Sequence, residues 1–264
     1  MNNLSEALGP LFENENVQEQ LKKQGSLTLE EVRERIAAND AKQQAATYKT
    51  IQNDKAKQFL KFSVWGGDQE RNFEFSQWKP EIQTNIKLAK ELKDAAKILT
   101  HRILQGEYPN GRVLVTGDAG SGKTAMVLAM LNAIKSQSDK TVMFVNVAEL
   151  AGDIHTFNDD RIAERVRIIK TLMKKVDVLV IDDFGSEVMG KANTYASNPL
   201  QMFYYEIAEA RMVAKDGYHT FTTIVTTNNT VPELAQMFEP KIISRIITKD
   251  KSGQLNFRGL EDVR

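Results

Sequence analysis

The chain has no cysteine, which excludes disulfides and thiolate zinc sites. Its three histidines, His101, His155 and His219, are scattered and suggest no metal cluster. No apolar run approaches the roughly 20 residues of a membrane-spanning helix. The opening Met1-Asn2-Asn3-Leu4-Ser5-Glu6 lacks the basic and apolar regions of a signal peptide. An excess of one charge is also missing: Lys+Arg and Asp+Glu each number 35, so any nucleic-acid surface must be a local patch. Together these absences predict a soluble, cytoplasmic protein with no membrane contact and no zinc. With 264 residues, 41% of them hydrophobic, the chain can bury one large core or a core plus a smaller module.

Residues 1–72 are rich in Gln, Asn, Glu, Lys and Ala and contain no strand-like run. Thr28-Leu29-Glu30-Glu31 fits a capping box, and Val32, Ile36, Tyr48, Ile51, Phe59 and Leu60 are sparse apolar positions behind it. Trp65-Gly66-Gly67-Asp68 reads as a break. This stretch is a small helical module, either a partner-binding element or a plain extension. From residue 73 to 264 the pattern changes. Pro80 opens a helix whose apolar face is Ile82, Ile86, Ala89, Leu92, Ala96, Leu99 and Ile103. Strands at 142–147, 178–181 and 221–227 alternate with helices at 161–175, 200–214 and 231–237, which predicts an α/β domain with a doubly wound parallel sheet.

The most informative stretch is Val113-Leu114-Val115-Thr116-Gly117-Asp118-Ala119-Gly120-Ser121-Gly122-Lys123-Thr124-Ala125. A buried strand, a glycine loop and an apolar helix follow one another in the order a phosphate-binding P-loop needs. The glycines let backbone N–H groups curl around phosphates, and the helix N-terminus adds partial positive charge. Lys123 would reach the β- and γ-phosphates, and the Thr124 hydroxyl would ligate Mg²⁺. A second metal-side carboxylate comes from Val176-Asp177-Val178-Leu179-Val180-Ile181-Asp182-Asp183. The apolar run suits a central parallel strand, and Asp182 falls at its C-terminal end, where ligands bind in open α/β sheets. Asp183 is placed to polarise the attacking water; being shorter than Glu, it predicts slow hydrolysis.

Two further positions complete the set. Thr223 to Thr227 is a strand ending at Asn228-Asn229. Beside the P-loop strand it would put the Asn228 amide near the γ-phosphate, although Asn-Asn after a strand is also an ordinary turn. Lys241-Ile242-Ile243-Ser244-Arg245-Ile246-Ile247 holds one Arg in an apolar helical stretch. Arg245 reads either as a surface salt bridge or, in a multimeric ATPase, as an arginine finger.

The combination of G-D-A-G-S-G-K-T, V-L-V-I-D-D-F-G-S-E, T-T-I-V-T-T-N-N and K-I-I-S-R-I resembles the AAA+ ATPases that load replicative helicases, of the DnaC/DnaI type and especially its phage-encoded versions. The resemblance covers residues 73–264. It implies an AAA+ P-loop core without a C-terminal lid, binding ATP and Mg²⁺. It makes Lys123 and Thr124 Walker A, Asp182 and Asp183 Walker B, Asn228 sensor 1 and Arg245 the finger. Phe75 to Pro80 resembles the segment that wraps the adenine, with Trp78 a base neighbour. The implied partners are a hexameric replicative helicase, single-stranded DNA, and further copies of the chain joined through the ATP site. Some loaders carry an N-terminal cysteine zinc module, which this chain lacks.

For the DNA, the local surface is Arg161, Arg165, Arg167, Lys170, Lys174 and Lys175 against one acid, Glu164, with Lys191 and Tyr195 on the following loop. A solvated helix face fits the same residues equally well. Two other functions share these motifs: a transposase-helper ATPase of the IstB kind, and a nucleotide-dependent adaptor with negligible turnover.

Overall fold

The computed structural model describes residues 29–67, 70–107, 111–156, 158–188, 195–212 and 221–262. The chain divides into two compact units, Met1–Lys55 and Ala56–Arg264. In the first, the described part is a long polar helix, α1 (Leu29–Lys61), whose final turns belong to the second unit. Most of its side chains are exposed, including Tyr48 and Ile51. Thr28, the expected cap of this helix, lies outside the described residues.

The second unit is built on five parallel strands in the order β2-β3-β4-β1-β5. These are β1 (Arg112–Thr116), β2 (Val142–Asn146), β3 (Val178–Asp182), β4 (Thr222–Thr227) and β5 (Gln254–Asn256). Alternate residues of each strand feed opposite cores, as the period of two requires. Val113, Val115, Phe144, Val180 and Ile224 pack under α2 (Ile86–Leu104) and α3 (Lys123–Gln137). Leu114, Val145, Ile181 and Val225 pack under α4 (Val147–Ile154), α5 (Asp160–Met173), α6 (Asn198–Met212), α7 (Val231–Met237) and α8 (Pro240–Ile246). With both faces covered, the strands are apolar on both sides.

The compact unit begins upstream of the composition change at Phe73. Phe59 is buried in the core, and Val64 pairs with the outer edge of β2 through Val64 N–H to Phe144 O and Asn146 N–H to Val64 O, both 2.8 Å. Trp65 stacks on Phe144 with ring centroids 4.7 Å apart. This segment covers a sheet edge that would otherwise expose unpaired backbone.

The helix expected from Pro80 is split. Pro80–Ile82 forms a single 3₁₀ turn, and α2 starts afresh at Ile86 with the Asn85 side chain accepting the Leu88 N–H at 3.1 Å. Ala89, Leu92, Ala96, Leu99 and Ile103 form its buried face, but Ile82 and Ile86 are exposed, because they precede the first turn that packs on the core.

At the edge of the sheet opposite the strand C-termini, the buried Arg211 of α6 binds the backbone carbonyls of Met173, Val176 and Thr222 at 2.7–2.8 Å, and its Nε–H donates to Thr223 Oγ1 at 2.8 Å. Burial pulls its pKa down to about 9, against the favourable charge of Asp177, so it stays a cation at neutral pH. A hydrogen bond from a charged donor contributes about 1.5–3 kcal/mol, so this one side chain ties α5, β3, β4 and α6 together.

Candidate functional site

The parallel registers align the C-terminal ends of the strands: Asn146 pairs with Asp182, Thr116 with Thr227, and Thr116 with Asn256. The P-loop leaves β1 at this edge. β4 lies between β1 and β3, so the residue following it, the exposed Asn228, emerges between the glycine loop and Asp182.

The loop from Gly117 to Gly122 uses its glycines for backbone conformation and for closeness. Gly120 and Gly122 have φ of 78° and 94°, in the left-handed region that favours glycine. A Cβ on Gly122 would lie 2.7 Å from the Trp78 ring, so the loop is seated directly on that indole. Trp78 is buried, donates its indole N–H to Ala89 O at 3.2 Å and meets Phe257 edge-on. It therefore forms a fixed support beneath the loop. Asp118 and Ala119 are exposed, Ser121 donates its hydroxyl to Asp118 O at 2.8 Å, and Ala125 is half-buried in the first turn of α3.

Lys123 is buried, and its Nζ donates to the loop carbonyls of Gly117 and Asp118 at 2.9 and 2.7 Å. Thr124 Oγ1 donates to Asp182 Oδ1 at 2.9 Å, which joins the two halves of the sequence motif. Asp182 is buried and also accepts from Thr226 Oγ1 at 2.7 Å and Asn146 Nδ2 at 3.3 Å. Burial, and then the neighbouring Asp183 charge, push its carboxyl above the usual range, against these three hydrogen bonds. A desolvated carboxylate beside a threonine hydroxyl, at the rim of a glycine cradle, is a donor set that fits Mg²⁺ bound to a polyphosphate.

Asp183 has φ of 60°, the one non-glycine residue with positive φ among the described residues. That conformation costs roughly 1–2 kcal/mol. It is held by Asp183 N–H to Thr226 Oγ1 at 2.9 Å and by Phe184, whose N–H donates to Thr226 O and whose carbonyl accepts from Thr227 Oγ1. On the other side of this turn, Glu187 accepts the Gly185 N–H at 2.8 Å and the Tyr204 hydroxyl at 3.0 Å. Burial pushes the Glu187 carboxyl up to about 7.

Residues 93–249 match the family described as IstB-like ATP binding protein. The chain belongs to that family. This IstB-like chain also shares its fold with solved structures. One is of the DnaC helicase loader, with 19% identity, a TM-score of 0.51, and coverage of 69% of this chain and 95% of that one. Another is a candidate primosome component from Streptococcus pyogenes serotype M3, with 16% identity, a TM-score of 0.52, and coverage of 77% and 93%. A structure of DnaI aligns at 22% identity with a TM-score of 0.47 over 64% of this chain and 85% of that one. No curated protein matches the chain at the sequence level. The IstB-like chain is thus a member of an ATP-binding family and shares its fold with the DnaC helicase loader. Among the described residues, no helix is long and apolar enough to cross a membrane.

The structure does not gather every expected residue at the P-loop. Arg245, in α8, is held within its own protomer by Glu209 at 2.6 Å, with its guanidinium over the Tyr205 ring. The basic face of α5 is less free than its sequence suggests, because neighbouring elements bring acids to it. Arg161 lies 3.7 Å from Asp159, Arg165 pairs with Asp153, and Lys170 and Lys174 share Glu206 at 3.0 and 2.7 Å. Tyr195 is exposed, and Lys191 lies outside the described residues.

Sequence reasoning missed three contributors. Glu187 enters the sequence pattern only as the last letter of V-L-V-I-D-D-F-G-S-E. Gln83 is buried and exchanges two hydrogen bonds with the Glu261 backbone, at 2.8 and 3.1 Å. This docks the C-terminal segment so that Asp262 lies against Gly120, where a Cβ would come within 2.0 Å of its carboxyl carbon. Nothing in local composition marks Gln83 or Asp262 for this place.

Proposed function

We propose that this chain is an ATP-driven loader of a hexameric replicative helicase onto single-stranded DNA, and that ATP switches its assembly. What supports the reading is a glycine loop, the buried Lys123 and the Thr124–Asp182 pair gathered at the C-terminal ends of the strands, in a fold that covers 95% of the DnaC helicase loader. Thr124 and Asp182 would hold Mg²⁺, which on binding neutralises phosphate charge. Lys123 would exchange its two loop carbonyls for phosphate oxygens. Asp183 would accept a proton from the attacking water and Asn228 would orient that water. Arg245 would leave Glu209 and enter a neighbour's site when protomers join. DNA would compete with the acidic partners of α5 for Arg165, Lys170 and Lys174, so its binding should weaken with salt.

The family description supports a second reading that keeps the ATP site, a transposase-helper ATPase of the IstB kind. The partner separates the two: a helper prefers duplex DNA and a transposase, and a loader binds a hexameric helicase.

In the loader reading the N-terminal unit takes the helicase. A shortened protein starting at Ala56 keeps Phe59, Val64 and Trp65 in the ATPase core. It is expected to bind ATP like the full chain and to lose the helicase in a pull-down. Full retention of helicase by the shortened protein would move the contact onto the ATPase unit.

A further inference from the structure

We propose that Glu187, clamped by Tyr204, is a positioning residue that holds Asp183 in place for ATP hydrolysis. The inference rests on reading Asp183 as the carboxylate that activates water. The turn after β3 is fixed on its β4 side by Thr226 and Thr227, which bind Asp183 N–H and Phe184 O. Gly185 is closely packed on that side, where a Cβ would meet Asn229 Nδ2 at 2.6 Å and Leu234 Cδ2 at 2.8 Å. The opposite side faces α6, and there Glu187 closes the turn. One carboxyl oxygen takes the Gly185 N–H and the other takes the Tyr204 hydroxyl.

Tyr204 is a rigid anchor. It is buried in α6 with its ring edge-on to Phe184 at 5.1 Å and to Phe238 at 5.7 Å. Phe184, the residue after Asp183, is fully buried in the same cluster. The chain from Asp183 to Glu187 is thus pinned at both ends, with the strained Asp183 at the open corner.

Glu187 is asked to accept two hydrogen bonds rather than to supply charge, so a neutral side chain of the same length should largely replace it.

The test measures kcat per nucleotide-binding site, KM for ATP and nucleotide affinity for Glu187→Ala, Glu187→Gln and Tyr204→Phe, each also in an Asp183→Asn background. Glu187→Ala and Tyr204→Phe should lower kcat about tenfold while KM and affinity stay within about twofold, since a misplaced reacting group costs rate rather than binding. Glu187→Gln, which still accepts the Gly185 N–H, should stay within about threefold of the parent. In single turnovers the losses should vanish in the Asp183→Asn background, because the side chains act through Asp183. Full kcat in Tyr204→Phe and Glu187→Ala would overturn the inference, as would losses that persist without Asp183 or that follow nucleotide affinity. Tyr204→Phe keeps the ring packing and carries the test if Glu187→Ala does not fold. Parent-level kcat in Asp183→Asn, or a parent without turnover, would overturn the reading of Asp183 and the inference with it. A slow Asp183→Asn beside a fully active Glu187→Ala would overturn only the positioning role.

Discussion

Lys123→Ala is expected to abolish ATP turnover and to weaken ATP binding by about 10- to 150-fold, the equivalent of one charged hydrogen-bonding group at roughly 1.5–3 kcal/mol. Lys123 is the only side-chain cation of the P-loop, and its ammonium is preorganised on the carbonyls of Gly117 and Asp118. Moving from those carbonyls to phosphate oxygens exchanges neutral acceptors for charged ones, so the gain appears when nucleotide is present. Calorimetric titration with ATP, alongside steady-state phosphate release, checks this on protein whose circular dichroism matches the parent. Normal turnover in well-folded Lys123→Ala would contradict the site assignment.

Arg245 carries the second large effect, and it should act in trans. In an isolated protomer it pairs with Glu209, both side chains being partly exposed at 28% and 37%. Such a pair contributes on the order of 0–1 kcal/mol, so Arg245→Ala should change the melting temperature little and leave nucleotide binding intact. Hydrolysis in the assembled form should fall at least about tenfold, and by less than the roughly 10³–10⁵ of fingers in GTPases, since the reading of Asp183 as a short base predicts slow chemistry from the start. Mixing Arg245→Ala with Lys123→Ala should restore part of the turnover that each lacks alone, since the intact Arg245 of one protomer then faces the intact P-loop of another. No recovery in mixtures that still co-assemble would leave Arg245 as the structural partner of Glu209.

Features encoded by local spacing were legible in the sequence. The strand–loop–helix order around Lys123, the apolar run before Asp182 and the strand before Asn228 all depend on neighbours within a few residues. The sheet registers then bring their ends to one edge. What escaped depends on partners far along the chain. Glu206 neutralises Lys170 and Lys174 from another helix, so the α5 face looked more basic than it is. Arg211 sits where a helix surface would be expected to be solvated, yet distant carbonyls enclose it. Val64 and Trp65 lie in a polar stretch that resembles a linker, but the open edge of β2 gives them a place in the core. Glu187 shows the same limit, because its meaning comes from Tyr204 on α6.

The central claim is that ATP switches this chain to deliver a helicase to single-stranded DNA. The most direct measurement is transfer of a hexameric replicative helicase onto covalently closed single-stranded circles, followed by gel filtration of the DNA-bound fraction. With the full chain and ATP, helicase should co-elute with the circles, and it should not do so with Lys123→Ala or with the protein starting at Ala56. Helicase that stays off the circles with the full chain and ATP, or that loads equally well without them, would contradict the loader function.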